Sequence, residues 1–204
     1  MEQTKQYEYV DLGLPSGLKW AKCNVGAETE TDYGDYFMWG STEPNNNTPS
    51  DWEHAPFNNG SNLYDEEYFN AHKSEWLDDK DNLKPEFDAA TQIMGGNWRM
   101  PTRDEIQELF DNTKYEWIEG FNNSEVDGWK ITSKTETSKY IFFPVAGYCL
   151  DGSVYNVGSG GYVWCSSLYT SNPYYARSLF FSSLSCYMGF CLRFYGRSVR
   201  GVKD

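Results

Sequence analysis

Histidine is almost missing from this chain. Only His54 and His72 occur, and neither has a serine or cysteine at a spacing that implies a catalytic triad, so both read as solvated loop residues rather than as bases. No run of about 18 apolar residues is present, which excludes a membrane-spanning helix. The first residues, Met-Glu-Gln-Thr-Lys-Gln-Tyr7, contain no apolar signal region; either secretion does not use that route or the N-terminus has been trimmed. Cysteine is scarce and odd in number, with Cys23, Cys149, Cys165, Cys186 and Cys191 and no CxxC pair, a poor fit to a disulfide framework or a zinc site. Basic residues are few: 17 Lys and Arg against 30 Asp and Glu, a net charge of −13. An acidic body argues against a nucleic-acid partner, which needs a basic footprint. No internal repeat is visible.

What the chain does have is length, aromatic residues and glycine. At 204 residues it is expected to form a single domain, 1–204, burying roughly 70% of its unfolded surface. Abundant Gly, Tyr, Trp and Phe with few long helical patterns favour a loop-rich α+β fold. Val10 to Leu14 and Leu18 to Val25 read as a hairpin about the turn Pro15-Ser-Gly17, with Trp20 in the core. Tyr36–Trp39 reads as a buried extended segment. Residues 41–84 are polar and weakly periodic, an irregular insertion with a short helix near Glu66–Phe69. Pro85–Met94 has proline at N1, glycine after its end and an apolar face of Ala89, Ala90, Ile93 and Met94, so a helix is expected there. Strands are expected at Lys130–Ser133, Tyr140–Pro144, Tyr162–Ser166, Ala176–Ser182 and Leu192–Val199, with a glycine-punctuated loop from Gly147 to Gly161.

The stretch Gly95-Gly-Asn-Trp-Arg-Met-Pro-Thr102, followed by an acidic helix over Arg103–Asn112, organises the rest. Gly95-Gly96 can stop the preceding helix. Thr102 and Glu105 form a capping box, Pro101 and Ile106 a staple, and Ile106, Leu109 and Phe110 recur at helical spacing. This stretch resembles the signature of a bacterial domain family, the major paralogous (FISUMP) domain. That family is related to the formylglycine-generating-enzyme branch of the C-type lectin fold. Tyr9–Ala21, Tyr33–Gly40 and Gly196-Arg-Ser-Val-Arg200 match it as well, so the resemblance runs from about Tyr7 to Val202. It implies two helices packed on small twisted antiparallel sheets with much irregular loop.

Three motifs could carry chemistry. Glu43-Pro44-Asn45 matches a calcium and sugar motif of some C-type lectins, but lies before the helices rather than after them and has no Trp-Asn-Asp partner, so a chance match in a turn is the better reading. Asp78-Asp79-Lys80-Asp81 offers hard oxygens yet lacks the glycine and distal glutamate of an EF-hand loop. Cys186-Tyr-Met-Gly-Phe-Cys191-Leu-Arg193 resembles the two-cysteine copper segment of formylglycine-generating enzymes, without the Arg-Gly-Gly-Ser stretch those enzymes carry upstream. Free thiols without metal are expected, and no cofactor.

The C-terminal third is unusual in content. From Tyr162 to Tyr195, 24 of 34 residues are Phe, Leu, Ser, Tyr or Cys. Trp98, Trp164, Leu179 and Phe181 are expected in the core. Strand alternation then puts Ser178, Phe180 and Ser182 on one exposed face, with Leu168, Tyr169, Tyr174, Tyr187, Phe190, Leu192 and Phe194 in loops or outward positions nearby. Phe180 and Phe194 are expected to be largely exposed. Such a patch marks a binding site, and Tyr with Ser is what paratopes use. The pattern resembles the variable proteins of diversity-generating retroelements, in which randomised Asn codons yield Tyr, Ser, Phe, Leu and Cys near the C-terminus; 148–196 would be the variable region. A Tyr-rich sheet of an ordinary family member is the alternative, less favoured explanation. The resemblance implies a binding protein, not an enzyme, with a protein or cell-surface ligand and a place outside the cell, on its surface or on a phage virion. The alternatives are a fixed adhesion or glycan-binding module and, more remotely, a copper-thiolate enzyme.

Overall fold

Two short strands open the structure, a computed structural model that describes residues 6–45 and 48–204. Tyr9–Asp11 (β1) and Lys19–Ala21 (β2) pair antiparallel with Val10 opposite Trp20, and the turn between them closes with Gly17 N–H donating to Leu14 C=O at 2.9 Å. Trp20 is fully buried, as its place in the hairpin implies. Tyr36–Phe37 (β3) follows, and Met38 and Trp39 continue it into the core.

The polar segment 41–84 departs from expectation. The short helix expected near Glu66–Phe69 begins there but runs for eleven residues, Glu66–Trp76 (α1), its N-cap Asp65 accepting from Tyr68 N–H. Much of the segment's apolar content is core: Phe57, Tyr64, Phe69, Trp76, Leu77 and Leu83 pack in one cluster with Trp39, Trp98 and Trp164. The segment is irregular outside and aromatic inside, so polarity of composition hides its burial. The helix expected over Pro85–Met94 is broken. A 3-10 turn at Pro85–Phe87 precedes Ala89–Met94 (α2), because Asp88 leaves helical geometry to accept from Thr91 N–H at 2.9 Å and Met100 N–H at 2.7 Å. Ile93 faces outward, so the buried face is Ala89, Ala90 and Met94.

Arg103–Asn112 (α3) matches its expected bounds and has the full capping box. Thr113–Ile118 (β4), which the sequence reading missed, then pairs with Gly128–Ser133 (β5), and β5 with Tyr140–Pro144 (β6). Tyr148–Leu150 (β7) and Ser153–Tyr155 (β8) make a small ribbon in the expected glycine loop. Gly161–Leu168 (β9), Tyr175–Phe181 (β10) and Cys186–Leu192 (β11) form an antiparallel meander. Arg197–Ser198 (β12) joins it in parallel to β9, and β3 closes the five-stranded sheet in the order β11-β10-β9-β12-β3. Val202–Lys203 (β13) returns to β2. The strand expected over Leu192–Val199 is therefore two pieces: the end of β11, and β12 after a turn.

Among the described residues the result is a mixed α+β fold with three α-helices and several small antiparallel sheets. No helix among the described residues is long and apolar enough to cross a membrane. The sheet separates two clusters. One holds α1, α2 and the segment before them; the other packs Ile106 and Leu109 of α3 and Ile131, Ile141 and Phe143 of β5–β6 against Val163, Leu179 and Phe181. Indole N–H groups tie β9 to the β3 segment: Trp164 donates to Phe37 C=O at 2.8 Å and Trp39 to Cys165 C=O at 2.9 Å.

Candidate binding surface

The ten expected surface residues do not share one face. Register decides this. In β10, Ala176, Ser178 and Phe180 point one way, and Arg177, Leu179 and Phe181 the other. Tyr187 lies opposite Phe180 and Gly189 opposite Ser178, whereas Phe190 lies opposite Arg177 and Leu192 opposite Tyr175. Tyr187 and Phe190 therefore belong to opposite faces of the β10–β11 hairpin.

The first face carries a connected run of rings. Tyr187 meets Phe180 at 5.0 Å between centroids, Phe180 meets Tyr162 at 5.1 Å, and Tyr162 meets Tyr148 at 5.2 Å. Tyr148 stacks on Tyr155 of β8 and leans on Tyr195, which stacks on Phe194. Phe194 and Tyr174 each meet Trp52, a residue of the 41–84 segment. Each contact lies in the range where offset and edge-to-face pairs attract. Tyr187 is 56% exposed and Tyr155 45%, while Phe180 and Phe194 are half-buried between their neighbours rather than largely exposed.

Arg197 underlies this face. Its guanidinium sits 4.9 Å from the Tyr162 ring and 5.0 Å from Trp164. Nη1 donates to the Ser178 hydroxyl, and Nε has no hydrogen-bond partner among the described residues. Burial lowers its pKa, opposed by the neighbouring Cys191 thiol. Ser178 is consequently wholly buried, an acceptor for Arg197 and not a surface residue. Leu168 is also buried. The β9–β10 register shifts between Ala176 and Ser178, which extends β9 to Leu168 and turns that side chain onto the first core cluster.

On the second face Phe190 lies parallel to Tyr169 at 4.3 Å, with the Arg177 guanidinium 4.5 Å from the Tyr169 ring. Phe190 is 49% exposed. At the tip, Ser182 N–H donates to Ser185 C=O and its half-buried hydroxyl accepts from Leu184 N–H. Leu184 is 94% exposed, the most exposed large apolar side chain described. Sequence reasoning missed Leu184, Tyr148, Tyr155 and Trp52. Asp151-Gly152 between two short apolar-aromatic runs is the hairpin signal that could have found the β7–β8 ribbon.

The copper-type motif fails on parity. A five-residue step along a strand places the two side chains on opposite faces. Cys186 packs with the α3 cluster, while Cys191 belongs to the other cluster and faces Arg197. Burial pushes the Cys186 thiol up to about 12 and raises that of Cys191 against the pull of Arg197, which keeps both protonated. Arg193 is not part of a thiol site either. It is fully buried, 4.5 Å from the Phe69 ring and 5.3 Å from Trp52, donating to Pro173 C=O at 2.8 Å and to Pro56 C=O at 3.0 Å.

The remaining motifs are structural. Asn45 is buried and its side chain donates to Ser50 Oγ. Asp78 accepts from the Lys80 and Asn82 N–H groups of its own turn. His54 pairs with Asp51 at 2.7 Å on the surface, and the Asp51 carboxylate raises its pKa. His72 accompanies Tyr68 and Trp76 on α1. Comparison with protein-family models, with curated proteins and with solved structures finds no match to this chain.

Proposed function

We propose that the chain is a ligand-binding protein of C-type-lectin-like architecture, with a C-terminal surface diversified as in the variable proteins of diversity-generating retroelements. The observation that carries the reading is the run of rings from Tyr187 to Trp52, with Leu184 standing clear at the hairpin tip. Tyr155, Leu184 and Tyr187 stand exposed along this run, and exposed apolar side chains grouped in this way mark a binding surface. Tyr and Phe supply rigid contact area at low entropic cost, and a sheet anchored by buried indoles holds them in place. The α+β arrangement of helices on small antiparallel sheets supports the architectural half of the reading. The ligand is a protein or cell-surface molecule met outside the cell or by a virion. A fixed glycan-binding module is the second reading, favoured by the half-exposed rings of Tyr155 and Tyr187, which could stack on sugars.

A display library randomised at Tyr155, Phe180, Leu184, Tyr187 and Phe194 tests this. Most members should fold, and selection on unrelated proteins should yield binders that lose about 2 kcal/mol or more when one selected aromatic is truncated. The neighbouring DNA should hold a reverse transcriptase gene and a near-copy of the last coding stretch differing at adenines. A library that is mostly unfolded, or a locus with neither feature, removes the diversified reading.

A further inference from the structure

The outer edge of β11 is unguarded. The ladder bonds flanking the hairpin are Ser182 N–H to Ser185 C=O and Arg193 N–H to Tyr174 C=O. They fix the alternation, so Tyr187, Gly189 and Cys191 bond to β10, while the N–H and C=O groups of Cys186, Met188, Phe190 and Leu192 point away from it. β11 has no second ladder partner among the described residues. Exposed edges are ordinarily blunted by charge, proline or a bulge. Cys-Tyr-Met-Gly-Phe-Cys-Leu contains none of these and stays in register with β10 throughout.

We propose that this edge pairs with β11 of a second copy of the chain, antiparallel about a two-fold axis at Gly189. The strand is self-complementary in that register. Met188 falls opposite Phe190 of the second copy and Cys186 opposite its Leu192; Leu192 C=O already accepts from Tyr195 N–H at 3.2 Å, so about six further N–H···O bonds form across the axis. Gly189 meets Gly189 at the close, non-bonded position, where Cα atoms approach to about 4.5 Å. Every cross-strand side-chain pair is apolar or aromatic, with no like charges opposed. Charge permits a second copy here. The molecule carries a net −13, yet no acidic residue occurs from Gly152 to Lys203, so two copies meeting along β11 set no carboxylates of that strand against each other. The pairing uses the backbone edge and leaves both ring faces open, so it stands independently of the ligand-binding reading and would join two such surfaces in one sheet.

Sedimentation of the purified chain over about 1 to 500 µM tests this. The wild type should pass from monomer to dimer. Gly189→Asp and Gly189→Lys should each remain monomeric, because like charges then face each other across the axis. Gly189 has no positive φ, and an added Cβ would meet the edge of the Tyr187 side chain at 3.3 Å, which can give way, and Ser178 C=O at an ordinary 3.8 Å, so both variants should fold. An equimolar mixture of the two should dimerise again, Asp opposite Lys. Hydrogen exchange on the wild type needs no variant. Amides of Met188, Phe190 and Leu192 should be protected at high concentration and released on dilution, while those of Tyr187, Gly189 and Cys191 stay protected throughout. A wild type monomeric across the range, a mixture that fails to associate, or outward amides indifferent to concentration overturns the proposal. Monomers whose outward amides become protected only when an extended peptide is added would assign the edge to a foreign strand.

Discussion

Ser178 and Tyr187 look interchangeable in the sequence, two paratope-type residues in neighbouring strands, and the structure gives them opposite work. Ser178 accepts a hydrogen bond from buried Arg197, and Tyr187 stands more than half exposed on the same face. Ser178→Ala removes the acceptor of a buried guanidinium, so it should cost about 1–3 kcal/mol. Tyr187→Ser should cost under about 1 kcal/mol. Chemical denaturation of the two variants measures the difference, and equal losses would show that the Arg197–Ser178 contact contributes nothing. Parity along β10 was legible from alternation, and the burial of Trp98 and Trp164 from their size and from the positions the resembled family keeps apolar. Which parity faced water was not, because a half-buried face lined with rings has the same residue types as a core. The same ambiguity explains Phe180 and Phe194, apolar residues covered by other rings rather than by the core.

Among the elements, α3 was the most legible because its signals are local. Thr102 accepts from Glu105 N–H, the Glu105 carboxylate accepts from Thr102 N–H, and Ile106 and Leu109 face inward. The structure adds Arg99, which donates two bonds to Glu105 at 2.6 and 2.7 Å. Burial opposes ionisation of Glu105, yet Arg99 and the Thr102 N–H outweigh it and hold the carboxyl below its ordinary range. A folded-state pKa below the unfolded one gives stability that is complete above about pH 4.3 and is lost as pH falls through the folded value. Glu105→Gln should therefore lower stability at neutral pH by about 1–2 kcal/mol and flatten the acid limb of the stability curve, as read by urea unfolding between pH 2 and pH 7. An unchanged acid limb would place the acid sensitivity elsewhere. By contrast β11 was illegible. With apolar residues on both faces it shows no alternation, and Leu192 was assigned to the strand after it.

At the scale of the whole molecule the largest misreading is the segment 41–84, and its cause is physical. Its aromatic residues pack without a period, so neither helical nor strand spacing betrays their burial, while the surrounding Asn, Asp and Glu dominate the composition. Backbone bonds hold its ends, Leu83 N–H to Ser166 C=O and Asn45 N–H to Tyr36 C=O, and Arg193, from the far end of the chain, ties its aromatic middle to the sheet. Its guanidinium bridges Pro56 and Pro173 carbonyls and lies among the rings of Trp52, Phe57, Tyr64 and Phe69. Burial lowers its pKa to about 10, with the Tyr64 phenol pulling the other way, and it remains charged at neutral pH. A planar fork serves two carbonyls set apart in this way; a lysine ammonium is a single point and cannot keep both while filling the space between rings. Arg193→Lys and Arg193→Met should each lose more than about 2 kcal/mol, since both leave buried carbonyls unpaired. The loss should be local first. Limited proteolysis under native conditions should cut both variants within 48–64, ahead of any cleavage in α3 or β5–β6, whereas the wild type should resist there. If the first cuts in the variants fall elsewhere, the aromatic cluster holds this segment without the arginine.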